Sequence, residues 1–152
     1  MAASALTFYD IFSESLGNNT VNMASDAVRL ALFTSTYSPN VGTHVTFSEL
    51  TNELTTANGY TATGALLTYD GVTRWGETSG TATFRAENVA WTADGGSITA
   101  RYAVLYSATA VTNNLIGYFL LDTTPADVTV PDTNTLTVQW NASGIFTLAP
   151  SV

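Results

Sequence analysis

The sequence predicts an all-β domain, a two-sheet β-sandwich of jelly-roll or related topology, preceded by one short helix. Three observations carry that prediction. From Gly59 onward, apolar segments of strand length recur at intervals of about ten to fifteen residues, separated by turn residues. The chain is 45% hydrophobic and only 11% charged, so it has the material for a core and no charge-rich stretch of the kind that stays disordered. Its 152 residues fit one domain, large enough to bury roughly two thirds of the surface that the unfolded chain exposes.

Taken in chain order, Leu6 to Leu16 sets Phe8, Phe12 and Leu16 at i, i+4 and i+8 with Ile11 alongside, the apolar face of a short helix. Thr7 is placed to cap its start. Asp10 and Glu14 lie toward the positive end of its dipole, and Gly17-Asn18-Asn19 is a stop. An apolar face near a terminus has two uses: packing on its own domain, or docking on a neighbour as an arm. The expected division is therefore an N-terminal helix or arm over 1–20 and a single β-sandwich domain over 21–152. Phe8, Tyr9, Phe12 and Leu16 are candidate interface residues.

Val28 to Phe33 reads as a strand interrupted by Arg29, and Tyr37-Ser38-Pro39-Asn40 turns the chain. Thr46-Phe47-Ser48-Glu49 has capping-box spacing, which predicts a brief helix from Phe47 to about Leu54 with Glu49 and Glu53 on one face. Further strands are predicted over Tyr60–Thr68, Thr81–Trp91, Ser97–Tyr106, Leu115–Leu121, Thr135–Trp140 and Ile145–Leu148. Asp94-Gly95-Gly96 predicts a hairpin between the second and third of these. Asn113-Asn114 and Asn141 to Gly144 are weaker turn signals. Asp122 to Asp132, with Pro125 and Pro131, is expected as a loop, and so is Asp70 to Glu77 around Trp75.

Charge narrows the classes of partner. The chain has no lysine, four arginines (Arg29, Arg74, Arg85 and Arg101), twelve acids and a net charge of −8. Four dispersed arginines do not make the clustered basic face that phosphate binding needs, so nucleic acid is not an expected partner. The same deficit disfavours an anionic membrane surface. No uninterrupted apolar run approaches the roughly 20 residues that span a bilayer, and the N-terminus shows neither the positive region nor the cleavage pattern of a secretory signal. Without cysteine there is no disulfide framework and no thiolate metal site.

Residues suited to catalysis are sparse, and no cofactor or metal is expected. His44 is the one histidine, which leaves no catalytic triad and no zinc site. Glu49 and Glu53 on one helix turn would set two carboxylates within the range a glycosidase uses, with Trp75 as a sugar platform; the solvated side of a helix explains the same pair. The acid-rich Asp122 to Asp132 lacks the alternating ligand spacing of a calcium loop.

Trp91 and Trp140 end strand-like segments and read as buried anchors. Trp75 sits among polar, glycine-bounded residues, where it is either a contact residue for a sugar or partner, or a loop tip folded on the core. Arg101 lies in an apolar strand, facing solvent by alternation or buried against a carboxylate. Arg29 beside Asp26 poses the same choice.

The order of pieces carries a resemblance. Ser25-Asp26-Ala27-Val28-Arg29-Leu30-Ala31-Leu32-Phe33-Thr34-Ser35-Thr36-Tyr37-Ser38-Pro39-Asn40 is followed by His44, Phe47 and Glu53, then by Asn58-Gly59-Tyr60-Thr61-Ala62-Thr63-Gly64-Ala65-Leu66-Leu67. Later come Asn88-Val89-Ala90-Trp91, Ile98-Thr99-Ala100-Arg101-Tyr102-Ala103-Val104-Leu105-Tyr106, Leu115-Ile116-Gly117-Tyr118 and a closing Trp140 to Leu148. From Asp26 to Leu148 the chain resembles a family of small virion structural proteins of tailed bacteriophages.

The resemblance implies a non-enzymatic role: capsid decoration (cement) on the virion exterior, made in the bacterial host cytoplasm and bound to the major capsid protein, with itself as a trimer at three-fold sites. It also admits a tail or head-tail joining component. A carbohydrate-binding attachment module is the rival from another class, resting on Trp75.

Overall fold

The computed structural model describes residues 3–69, 71, 73–124 and 126–150, and in them the chain is mostly extended. In chain order the elements are β1 (Thr7–Phe8), α1 (Ile11–Gly17), β2 (Val28–Phe33), a 3-10 turn (Phe47–Glu49), β3 (Ala65–Leu66), β4 (Trp75–Thr78), β5 (Thr81–Phe84), β6 (Val89–Thr92) and β7 (Ile98–Ala100), then β8 (Tyr102–Ser107), β9 (Leu115–Leu120), β10 (Val128–Val130), β11 (Thr135–Val138) and β12 (Phe146–Leu148). The fold is all-β and sandwich-like. A five-stranded sheet, β1-β9-β8-β2-β3, is opposed by three shorter ladders, β10-β7, β11-β6 and β12-β5-β4, with all pairs antiparallel. Asp70, Val72 and Pro125, part of the two loops expected from sequence, lie outside the described residues.

The five-stranded sheet is covered on both sides. Val28, Leu30 and Leu32 of β2, Ala103 and Leu105 of β8 and Ile116 of β9 face the ladders and pack with Phe84, Trp91, Ile98, Leu136 and Phe146. On the opposite side, Ala31, Phe33, Val104, Tyr106 and Leu115 form a second core with Tyr9 and Tyr37. Phe47 and Leu50, from the connection 34–64, close over it. A strand apolar on both faces reads as a continuous run, which is why Val28 to Phe33 shows no alternation. The ladder strands are buried on one face and do alternate: Val89 and Trp91 point inward, Ala90 and Thr92 outward.

Several expected elements are displaced, each for a nonlocal reason. The predicted helix over Leu6 to Leu16 starts at Ile11. Thr7 and Phe8 are drawn into the sheet, opposite Tyr118 and Gly117. Gly117 makes room for that approach, since a Cβ there would lie 2.9 Å from the Thr7 carbonyl oxygen. Asp10, not Thr7, occupies the N-cap, without a side-chain cap bond. Of the two uses open to the first residues, packing on their own domain is the one observed: they share sheet and core with the rest, with Phe12 3% exposed and Tyr9 1%.

The predicted strand Tyr60–Thr68 shrinks to β3. Thr63 and Gly64 adopt positive φ, +77° and +74°, which breaks the extended run. Thr81–Trp91 divides into β5 and β6, which join different ladders. Ser97–Tyr106 divides at Arg101, whose backbone N–H donates to the Phe33 carbonyl and whose own carbonyl accepts from Leu121. The chain bends at Gly95-Gly96, with Gly95 at φ +78° and its N–H on Asp132 Oδ1 at 2.9 Å. It does not close a hairpin, because β6 pairs with β11 and β7 with β10.

Two strands lie where loops were expected. β10 runs inside Asp122 to Asp132, and β4 turns at Ser79-Gly80 into β5. Ser79 and Gly80, both at positive φ, make the two-residue turn whose twist matches paired strands. The turn at Asn113 links the paired strands β8 and β9, and the turn Asn141 to Gly144 closes with a backbone hydrogen bond of 2.8 Å.

Candidate interface groove

The site begins with α1, whose i, i+4 spacing places Phe12 and Leu16 on one side. Phe8 arrives beside them from β1, its ring stacked on Phe12 with centroids 5.2 Å apart and planes 11° apart. Phe146 of β12 stands edge-on to both, at 5.1 Å from Phe8 and 5.7 Å from Phe12. Edge-to-face and offset pairs of this kind suit the ring quadrupoles, each contributing about 0.5–1.5 kcal/mol beyond burial. Two residues on, period 2 brings Leu148 to the same side of β12, where it remains 36% exposed.

The result is an open groove of about 360 Å3 lined by Phe8, Tyr9, Asp10, Phe12, Ser13, Leu16 and Leu148. Four of the five candidate interface residues therefore meet in one place. Their availability differs. Phe12 and Tyr9 are buried in the protein's own core and serve as foundation, which corrects the expectation that they face a partner. Phe8 and Leu16 are half-buried, whereas Asp10, Ser13 and Leu148 are exposed.

Trp75, the fifth, stands apart from these four. It opens strand β4 and packs 6.2 Å from Phe146, half-buried, so it joins the aromatic cluster and does not line the groove. Leu148 and Phe146 were not singled out from the sequence. Their alternation in Ile145–Leu148 was visible, but nothing local places that strand beside α1.

Tyr9 links the groove to the second core. Its hydroxyl and that of Tyr37 form a buried hydrogen bond. Burial pushes the Tyr37 phenol up to about 12 and the Tyr9 phenol further still. The His44 ring lies 6.5 Å from Tyr9 and 6.3 Å from Tyr37, half-buried in the loop layer.

The two carboxylates considered for catalysis are separated by the fold. The capping box forms, with Glu49 Oε2 accepting from the Thr46 and Val45 N–H groups at 2.8 and 2.7 Å, and these bonds hold its carboxyl below the ordinary range. The helix then stops, because Leu50 is extended (ψ 142°). Glu53 turns inward, where its Oε1 accepts from the Tyr60 hydroxyl at 2.7 Å and from the Thr63 N–H at 2.5 Å. Burial raises its pKa against the pull of those bonds. No shared helix face exists for Glu49 and Glu53.

The other polar candidates are engaged structurally. Arg101 pairs with Asp127 at 2.8 Å, both partly exposed, a pair worth about 0–1 kcal/mol. Arg29 donates to the Gly64 carbonyl at 3.2 Å, while Asp26 accepts from Asn22 N–H and the Ser107 hydroxyl. Trp91 is buried, and Trp140 is half-buried with its indole N–H on the Glu87 carbonyl at 3.0 Å. Among the described residues no three histidine or acidic side chains gather to hold a metal ion.

No protein-family model, curated protein or solved structure matches the chain.

Proposed function

We propose that this chain is a non-enzymatic structural protein of a tailed-bacteriophage virion, a capsid decoration protein that sits on the shell exterior and grips the major capsid protein. The observation that carries this reading is the groove itself, in which Phe8, Leu16 and Leu148 offer apolar surface on a foundation of packed aromatic rings. Anchoring contacts of this type dominate the energetics of protein interfaces. The ordered pieces from Asp26 to Leu148 support the family, and the net charge of −8 turns the surface away from packaged nucleic acid.

A decoration protein needs contact free energy shared over many copies, and a standard interface buries about 1,600 Å2 in total. The groove supplies the centre of such a patch, and trimers at three-fold sites would multiply it. The virion reading is preferred to the sugar-binding alternative because the half-buried Trp75 indole packs 6.2 Å from Phe146, an arrangement that favours support of the aromatic cluster over a sugar platform.

Quantitative mass spectrometry of purified particles tests the reading. Copy numbers comparable with the major capsid protein are expected. A dozen or so copies would move the chain to the tail or neck, and absence from the particle would overturn the proposal.

A further inference from the structure

The groove is apolar, yet its rim carries charge of a single sign. Asp10 is the one charged residue among those lining it, and Glu14, exposed on the same helix, adds a second carboxylate nearby. A partner that covers the groove takes water from Asp10, and a carboxylate desolvated without a counter-charge is costly. The chain has little with which to answer that charge. It has no lysine, and three of its four arginines are engaged: Arg29 by the Gly64 carbonyl, Arg74 over the Tyr69 ring and Arg101 by Asp127. A second copy would bring another −8 against −8.

We propose that the groove receives a segment of a partner protein that combines apolar side chains with lysine or arginine, and not a second copy of this chain. Leucine- or phenylalanine-sized groups fill the space between Phe8, Leu16 and Leu148, while the cationic group meets Asp10 and Glu14 at the rim. Charge complementarity of this kind selects the partner and speeds encounter as much as it tightens the complex. The inference rests on reading the groove as the contact surface and adds the chemistry of the partner.

The test uses the intact chain and a short fluorescent peptide alternating leucine and lysine, compared with its leucine–glutamate counterpart. Anisotropy should report binding of the lysine peptide alone, weakened roughly tenfold when salt rises from about 0.05 to about 0.5 M. Leu148→Lys should weaken binding at least tenfold, whereas Val111→Lys, at a fully exposed site outside the groove, should change it little. Asp10→Asn with Glu14→Gln should weaken it several-fold and flatten the salt dependence without touching an apolar contact.

Equal binding of both peptides, or equal losses from Leu148→Lys and Val111→Lys, overturns the proposal. So does sedimentation showing dimers of the chain that Leu148→Lys dissolves, since a second copy would then fill the groove. These results concern the groove and the isolated chain. The virion reading stands or falls separately on the copy count in particles.

Discussion

Gly64 is pressed against Leu30: a Cβ on Gly64 would lie 2.1 Å from the Leu30 carbonyl oxygen, and its φ is +74°. Both the space and the backbone conformation therefore demand glycine. Gly64→Ala should destabilise the protein by about 3 kcal/mol or more, combining overpacking with left-handed strain. Gly80, at φ +83° with nothing within 4 Å of its missing Cβ, separates the two effects. Gly80→Ala should cost only about 1 kcal/mol. Urea denaturation of both variants decides it, and similar losses would mean that the sheet adjusts beneath Gly64.

The buried Tyr9–Tyr37 pair should behave as a coupled unit. Tyr9→Phe or Tyr37→Phe leaves one hydroxyl unpartnered in the core, at a cost of about 1–3 kcal/mol, whereas the double variant should cost little more than either single one. Additive losses in the double-mutant cycle would contradict this.

Alkaline pH supplies an independent check. Burial raises the phenols of Tyr9, Tyr37, Tyr60 and Tyr69 above the ordinary value of 10.0. A raised folded-state value means that the stability contribution is intact below the ordinary value and is lost as pH climbs from there through the folded one. Phenolate absorbance from these residues should therefore appear together with the loss of far-ultraviolet dichroism. Ionisation of all seven tyrosines near pH 10 in a folded chain would be the contrary result.

Glu49 and Glu53 should give pH dependences of opposite sign. Hydrogen bonds lower the Glu49 value, so its contribution is present above the ordinary carboxylate pKa and is lost as pH falls. Burial raises that of Glu53, so its contribution is greatest in acid and declines as pH rises through the folded value. Relative to the native chain, Glu49→Gln should lose its disadvantage toward acid pH. Glu53→Gln should lose its disadvantage toward neutral pH. Urea midpoints measured across the carboxylate range test both, and parallel slopes would refute the assignment.

Phe146 joins four other rings, Phe8, Phe12, Trp75 and Phe84. Phe146→Ala should cost about 3–5 kcal/mol by loss of transfer free energy and creation of a cavity. Leu148→Ala, at a partly exposed position, should stay below about 1 kcal/mol in the free chain. Calorimetry that ranks the two equally would show Leu148 to be as much a core residue as Phe146.

Local chemistry was legible where a segment's structure depends on its own residues. The Val28–Phe33 run, the Thr46–Glu49 capping box and the Asn113 turn were readable because apolar continuity, side-chain capping and tolerance of positive φ act over a few positions. Pairing was not. Nothing near Asp94-Gly95-Gly96 reveals that β6 will leave β7 for β11, and nothing near Phe8 reveals that Gly117 draws it into a strand. The groove was half legible for the same reason: Phe12 and Leu16 declare themselves by helical spacing, while Leu148 reaches them from more than a hundred residues away.

The double-sided covering of the five-stranded sheet sets a hierarchy of opening. Amides of β2, β8 and β9, sealed by ladders on one side and by the connection 34–64 on the other, should exchange with deuterium only when the whole molecule unfolds. The two-stranded ladders, with solvent on their outer faces, should exchange through smaller excursions. A partner seated on α1 and β12 would then hold a place where the ladder layer and the sheet's first strand meet, through Phe8 and Phe146, and so slow the fraying of both at once.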